Sequence, residues 1–174
     1  MPEGRYVARW EEFRVLPGVP EAIARLNAAG VRVLVVTNQR GIAKGLYTLA
    51  DLEGIQVRFE GLLRSRGAHL DAFFACPHDK GECNCRKPLT GLYDQARSRF
   101  PGILPETSVM IGDSLSDMEF GHRLAMPSLL IVAEATSQTA GMAQARVLAT
   151  ASYHSLPDAV DALLAACRTA VSHD

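Results

Sequence analysis

Apolar and polar residues follow one another in blocks that switch between a helical and a strand period. Val19, Ala22, Ile23 and Leu26 recur at helical spacing, with Pro20 at the first helical positions and Gly30 after the last turn. That block predicts a helix ending at Gly30. Residues 31–38, VRVLVVTN, are almost continuously apolar and β-branched, the pattern of a strand buried on both faces. From Thr48 to Gly67, Leu49, Leu52, Ile55, Phe59, Leu62 and Leu63 form a helical stripe. Gly54 and Gly61 interrupt it, each costing about 1 kcal/mol relative to Ala. DAFFAC (71–76), SVMIGD (108–113) and SLLIV (128–132) read as short strands, with helices expected over 91–100 and near 116–124. A last helix carries Val160, Leu163, Leu164, Cys167 and Val171 on one face, which makes Cys167 an inert core thiol. Trp10 and Phe13 are expected to pack the N-terminal loop, and His69, His122, His154 and His173 to be surface or capping residues.

Strand and helix in rotation predict an α/β fold: a three-layer, Rossmann-like, mostly parallel sheet with helices on both faces. Ligands of such sheets bind beyond the carboxyl ends of the strands. The polar tips Thr37–Asn38, 76–78 and 112–114 sit there. The 174 residues contain no repeat or Gly/Ser linker and suit a single domain over 1–174. A chain of this size buries roughly two thirds of its unfolded surface and needs no metal merely to fold. Apolar content of 48% and charged content of 21% are ordinary for a globular protein. A net charge of −1 offers no bulk basic field for nucleic acid or anionic lipid, and no nucleic-acid motif is present. The apolar runs are too short to span a bilayer, and the N-terminus has no apolar signal segment. The expectation is a cytoplasmic monomer with a small-molecule partner.

Chemistry concentrates in CPHDKGECNCRKP, residues 76–88. Cys76, His78, Cys83 and Cys85 make a Cys₃His set, one of the closed tetrahedral structural zinc types. Gly81 lets the loop turn back. Three thiolates and Zn²⁺ leave a net −1, which suits Arg86 and Lys87 beside them. The alternatives are a loop of free thiols, or a redox pair at Cys83 and Cys85 that lacks the usual spacing and helix. Clustering in a reducing compartment favours metal over disulfide.

The strand tips add a second set. Thr37 and Asn38 offer a hydroxyl and an amide, and Lys87 is a point charge suited to a phosphate oxygen. GDSLSD puts Asp113 at a strand end, where a hard carboxylate suits Mg²⁺, and Asp117 one turn later. Each piece alone also reads as a cap or a plain helix start. Lys44 could reach a phosphate or be a solvated loop lysine.

Threonine after VLVVT, lysine in RKP and then GDSLSD, in that order, resemble the haloacid dehalogenase superfamily of phosphatases. TNQRGIAKG, the cysteine loop and IGDSLSDM are similar to D-glycero-D-manno-heptose bisphosphate phosphatases and their histidinol-phosphatase relatives. The resemblance implies a phosphoric monoester hydrolase acting on the 7-phosphate of heptose 1,7-bisphosphate, in the supply of lipopolysaccharide-core heptose, with histidinol phosphate as the alternative substrate. It implies that Thr37 and Lys87 stabilise the phosphoryl group. Asn38, Gln39, Arg40, Arg86 and Ser114 would meet phosphoryl or substrate, Asp113 would bind Mg²⁺, and Cys76, His78, Cys83 and Cys85 would bind Zn²⁺.

One part of that pattern is absent. Such enzymes attack phosphate with the first aspartate of an Asp-x-Asp motif at the tip of an N-terminal strand, the second being the acid and base. These 174 residues hold no Asp-x-Asp, and the first aspartate is Asp51. Glu3, Glu11 and Glu12 lie in a polar segment that does not fix them against a phosphate, and Asp113 is better placed as metal ligand than as nucleophile. The expectation is a sheet lacking its first strand and a chain with little or no turnover. It reads either as a shortened phosphatase or as a non-catalytic phosphate-binding protein.

Overall fold

The computed structural model describes residues 6–133 and 140–171; Glu3 and His173 lie outside them. Helix α1 (Val19–Ala28) starts with Pro20 in its first turn, and Gly30 follows it at φ +73°, as the pattern predicts. β1 (Leu34–Asn38) runs into the short helix α2 (Arg40–Ala43). α3 (Leu49–Ser65) opens on a reciprocal cap between Thr48 and Asp51. β2 (Ala72–Cys76), α4 (Gly91–Arg99), β3 (Met110–Gly112), α5 (Leu115–Arg123) and β4 (Ser128–Ile131) follow near their expected places. The sequence pattern missed α6 (Met142–Leu148) and β5 (Ala151–Tyr153), whose seven and three residues are too short for a period to show. α7 (Leu156–Val171) closes the described chain.

All strand pairs are parallel, but they fall into two sheets, β1–β2 and β3–β4–β5. This is where the expected single sheet is divided. In β1 the odd residues bond toward β2: Asp71 N–H donates to Val33 O, and Gln39 N–H to Cys76 O. The backbone groups of Leu34 and Val36 therefore point to the other edge. By the same alternation Met110 faces β4, its N–H donating to Pro127 O, and Ile111 faces away. No strand among the described residues pairs with either of these inner edges. The expectation of a strand buried on both faces is corrected accordingly: every residue of β1 is only half-buried. An unpaired edge leaves one side of even an apolar strand open.

Helices cover both faces. Val33 packs with Ala22, Leu26 and Ile23 of α1, Val160 of α7 and Leu63 of α3. Val36, of opposite parity, joins Phe74, Leu92, Tyr93, Met110 and Phe120, so α4 and α5 cover the other face. α1 and α7 tie the two sheets together, with Arg25 of α1 pairing with Asp161 of α7. Cys167 is exposed rather than part of the core: Val160 is fully buried, Leu163 and Leu164 partly, and the packing partners of α7 end there. Trp10 stacks on Phe13, which meets Phe59 of α3 edge-on at 5.4 Å, so the N-terminal loop packs as expected. His69, His122 and His154 are exposed. No described helix is long and apolar enough to cross a membrane.

Leu130 is fully buried among Met118, Val132, Met142 and Ala145. Leu130→Ala is expected to cost about 2–5 kcal/mol, read as a lower urea midpoint with an unchanged slope.

Candidate active site and metal centre

The carboxyl ends of β1, β2 and β3 bring the predicted tips together. Cys76 ends β2, and the loop that leaves it carries the rest of the cysteine set. The ligand atoms of Cys76, His78, Cys83 and Cys85 all lie within 4.8 Å of one another. Cys76 Sγ is 3.5 Å from Cys83 Sγ and 3.7 Å from His78 Nδ1; Cys85 Sγ is 3.4 Å from both. Zn–S bonds of about 2.3 Å at tetrahedral angles put ligand atoms about 3.7 Å apart. Four of the separations, 3.4–3.7 Å, are close to that spacing.

Its electrostatics also favour a cation. Burial pushes the Cys85 thiol up to about 12, reinforced by hydrogen bonding with Cys76 and Cys83. Burial raises Cys76 as well. At Cys83 burial acts upward too, but hydrogen bonds from Cys85 and Cys76 outweigh it and lower the thiol. Three thiolates this close need a positive charge between them before all can ionise. The cluster can hold a metal ion.

The loop exits at Arg86 and Lys87, and Lys87 joins the two sheets. Its ammonium donates to Val36 O of β1 at 2.7 Å and to Asp117 Oδ1 of α5 at 2.6 Å. Both side chains are over nine-tenths buried, at 9% and 8% exposure. An ammonium has three N–H donors, so one remains. The side chain of Asn38 clasps the Lys87 backbone, accepting from its N–H at 2.9 Å and donating to its carbonyl at 3.0 Å. Thr37, Asn38 and Lys87 are thereby held as one unit at the tip of β1.

Asp117 is the residue whose role the sequence left open. Its Oδ2 accepts from the Asp113 and Ser114 backbone N–H groups and from Ser114 Oγ, while Oδ1 takes Lys87. Ser114 Oγ in turn accepts from Asp117 N–H, a reciprocal N-terminal cap. Asp117 is therefore occupied as cap and counter-ion rather than open to a metal. The Ser114 hydroxyl is engaged in the same cap. Gly112 is needed here, because a Cβ would stand 2.4 Å from Asp117 Cβ. The only sequence signal for Asp117 was its capping spacing from Ser114.

Asp113 is exposed, and its carboxylate has no partner among the described residues. A single free carboxylate at a strand tip fits Mg²⁺, which commonly takes one or two carboxylates with water and phosphate. Among the described residues, no second acidic cluster of three or more surrounds it.

Around the rim, Arg40 forms a two-pronged pair with Asp79 of the cysteine loop, Nε–Oδ1 at 2.5 Å and Nη2–Oδ2 at 3.1 Å. That guanidinium holds the Asp79 carboxyl below the usual range. Asp79 was not singled out in the sequence. Arg86 has a buried Nη1 without a partner, a donor available to an anion. Gln39 donates to Thr37 Oγ1 at 3.0 Å and accepts from Tyr47 OH at 2.5 Å. Lys44 lies over the Tyr6 ring at 5.5 Å.

Asp117→Asn would leave the Lys87 charge buried without its counter-ion. The expected loss is about 3–5 kcal/mol of stability, measured by chemical denaturation. A loss under about 1 kcal/mol would show that the pair is not the tie between the sheets.

Comparison with known proteins agrees with this geometry. A family model for haloacid dehalogenase-like hydrolases matches residues 2–124. The chain is 40% identical over 123 residues to a D-glycero-alpha-D-manno-heptose-1,7-bisphosphate 7-phosphatase of Mycobacterium tuberculosis, covering 70% of this chain and 65% of that protein. It is 35% identical over 127 residues to a D-glycero-beta-D-manno-heptose-1,7-bisphosphate 7-phosphatase of Pseudomonas aeruginosa, covering 72% and 71%. The chain thus spans about two thirds of the length of these relatives. Among solved structures, the D,D-heptose 1,7-bisphosphate phosphatase of B. bronchiseptica, complexed with magnesium and phosphate, superposes with a TM-score of 0.79 at 30% identity over 91% of this chain and 88% of that one. Its counterpart from Burkholderia thailandensis gives 0.63 at 28%, covering 89% of each. With the ordered tips of β1, the cysteine loop and β3 in the places the resemblance implied, this chain belongs to the haloacid dehalogenase-like hydrolases.

Proposed function

We propose that this chain carries the phosphoryl-binding site of a Mg²⁺-dependent phosphatase for the 7-phosphate of D-glycero-D-manno-heptose 1,7-bisphosphate, a precursor of lipopolysaccharide-core heptose. The names and matched regions of its relatives support the substrate. The observation that carries the reading is the Lys87 ammonium, fixed by Asp117 Oδ1 and by the carbonyl of Val36, the residue before Thr37, with one donor left over. A buried, fixed cation aimed at a strand tip is what a phosphoryl group needs.

In this reading Thr37 Oγ and Lys87 Nζ hold the transferring phosphoryl group. Arg86 presents its free Nη1 to the substrate. Arg40, kept in place by Asp79, lines the rim. Asp113 would hold Mg²⁺, which supplies charge neutralisation between an attacking oxyanion and the phosphate. Zn²⁺ on Cys76, His78, Cys83 and Cys85 would fix the loop that delivers Arg86 and Lys87. The cytoplasm is the compartment that suits these thiols.

Attack on phosphorus is the step these 174 residues do not supply. They contain no Asp-x-Asp, and no strand among the described residues pairs with the inner edges of β1 and β3. The chain by itself is therefore a binder without turnover.

Calorimetry with heptose 1,7-bisphosphate and Mg²⁺ is expected to show binding, and a phosphate-release assay only the background rate. Arg86→Gln should weaken that binding about tenfold, in keeping with loss of a charge-assisted hydrogen bond. No binding by the unaltered chain would contradict the proposal; steady phosphate release would contradict the account of the nucleophile.

Elemental analysis of protein purified without chelator should find one zinc per chain. Cys85→Ala should lose it, together with dispersed amide resonances from 77–86. A metal-free protein with that loop ordered would contradict the zinc assignment.

A further inference from the structure

The turn after β1 builds a chain of hydrogen bonds that ends on the Thr37 hydroxyl. Gln39 Nε2 donates to Thr37 Oγ1 at 3.0 Å, and Gln39 Oε1 accepts from Tyr47 OH at 2.5 Å. We propose that Tyr47 and Gln39 are positioning residues that turn the Thr37 hydroxyl proton toward a bound phosphoryl oxygen. This rests on the reading of Thr37 as a phosphoryl ligand.

The direction of the chain follows from what each group can do. A glutamine amide can present either its oxygen or its NH₂ to a neighbour. If it presented oxygen to Thr37, the hydroxyl proton would be spent on Gln39 and could not reach a phosphate. Tyr47 sets the choice. The phenol donates its proton to Gln39 Oε1 at 2.5 Å, which engages the amide oxygen. With Oε1 engaged, NH₂ faces Thr37. Thr37 Oγ1 then accepts, and its proton is free.

The surrounding chain holds Tyr47 in place. The ring is 6% exposed and lies against Gly41, where a Cβ would come within 2.1 Å of Cε1. Residue 41 must therefore be glycine for the phenol to reach Gln39. Lys44 N–H to Arg40 O and Leu46 N–H to Gly41 O close the loop between them. Gly45, at φ +68°, makes the turn. Thr48 next caps α3, so Tyr47 is anchored two residues before a 17-residue helix. Burial also keeps the phenol protonated well past neutrality, so it stays a donor.

Tyr47→Phe removes one hydroxyl and keeps the packing. The test is the affinity for inorganic phosphate with Mg²⁺, by calorimetry, of the unaltered chain, Tyr47→Phe, Thr37→Val and the double variant, each with its melting temperature. The expected result is about fivefold weaker binding for Tyr47→Phe, within the range of one hydrogen bond. In the Thr37→Val background, Tyr47→Phe should have no further effect, because the hydroxyl it orients is gone. A merely structural role would weaken binding equally in both backgrounds, and that result overturns the inference. So does unchanged affinity in Tyr47→Phe when Thr37→Val is weakened. If Thr37→Val itself binds phosphate as well as the unaltered chain, the reading of Thr37 falls, and this inference with it.

Discussion

The buried pair between Lys87 and Asp117 is the constraint on which the site is built. Lys87 leaves a loop that begins at β2, reaches Val36 O of β1, and ends on Asp117 of α5, which sits at the tip of β3. One ammonium thus links the β1–β2 sheet to the helix that leaves β3. A buried pair of this kind contributes little net stability, since desolvation offsets most of the attraction, but breaking it is costly. Its use is positional. It holds a cation with a spare donor where strand ends converge, and the Asp117 carboxylate balances that charge until an anionic ligand arrives. The same carboxylate caps α5 and fastens the backbone of Asp113 and Ser114. One side chain therefore sets the cation, the exposed carboxylate at Asp113 and the start of a helix.

The metal cluster acts on this arrangement from the other end. Cys85 is two residues from Lys87, and Asp79, next to His78, holds Arg40. A cation that pulls Cys76, His78, Cys83 and Cys85 together would order both flanks of the loop at once: Asp79 with Arg40 on one side, Arg86 with Lys87 on the other. A metal ion held there would be structural, yet its influence would fall on the rim that carries Arg40 and Arg86. The divided sheet gives the complementary view. An apolar strand, LVVTN, that is half-buried throughout has an edge prepared for pairing, and Lys87 caps only the Val36 carbonyl on it.

Much of this was legible in the residues. Cysteine and histidine mark a candidate metal site because ligand type and spacing are local, and the structure brings all four together. α1, α3 and the central strands declared themselves by period. α6 and β5 did not, because seven residues are too few to show a helical period and three cannot show alternation. The loss of burial along β1 was hidden because an apolar run looks the same whether or not a neighbour is present. Cys167 misled because helical spacing tells which face is apolar, not where the partner helix stops. Asp79, Tyr47 and the full part played by Asp117 depend on contacts across 39, 8 and 30 residues, which no local pattern contains. Gln39 and Ser114 were read as facing substrate. In the structure their side chains bond Thr37 and Tyr47, and Asp117.

The central claim is that the tips of β1, the cysteine loop and β3 form one phosphoryl site around Lys87. The most direct measurement is a titration of the ¹⁵N-labelled chain with inorganic phosphate and Mg²⁺, following every amide. The account predicts that Thr37–Gln39, Arg86–Lys87 and Asp113–Ser114 shift together, with a single dissociation constant. Shifts confined to one of these three segments, or gathered elsewhere on the surface, would contradict it.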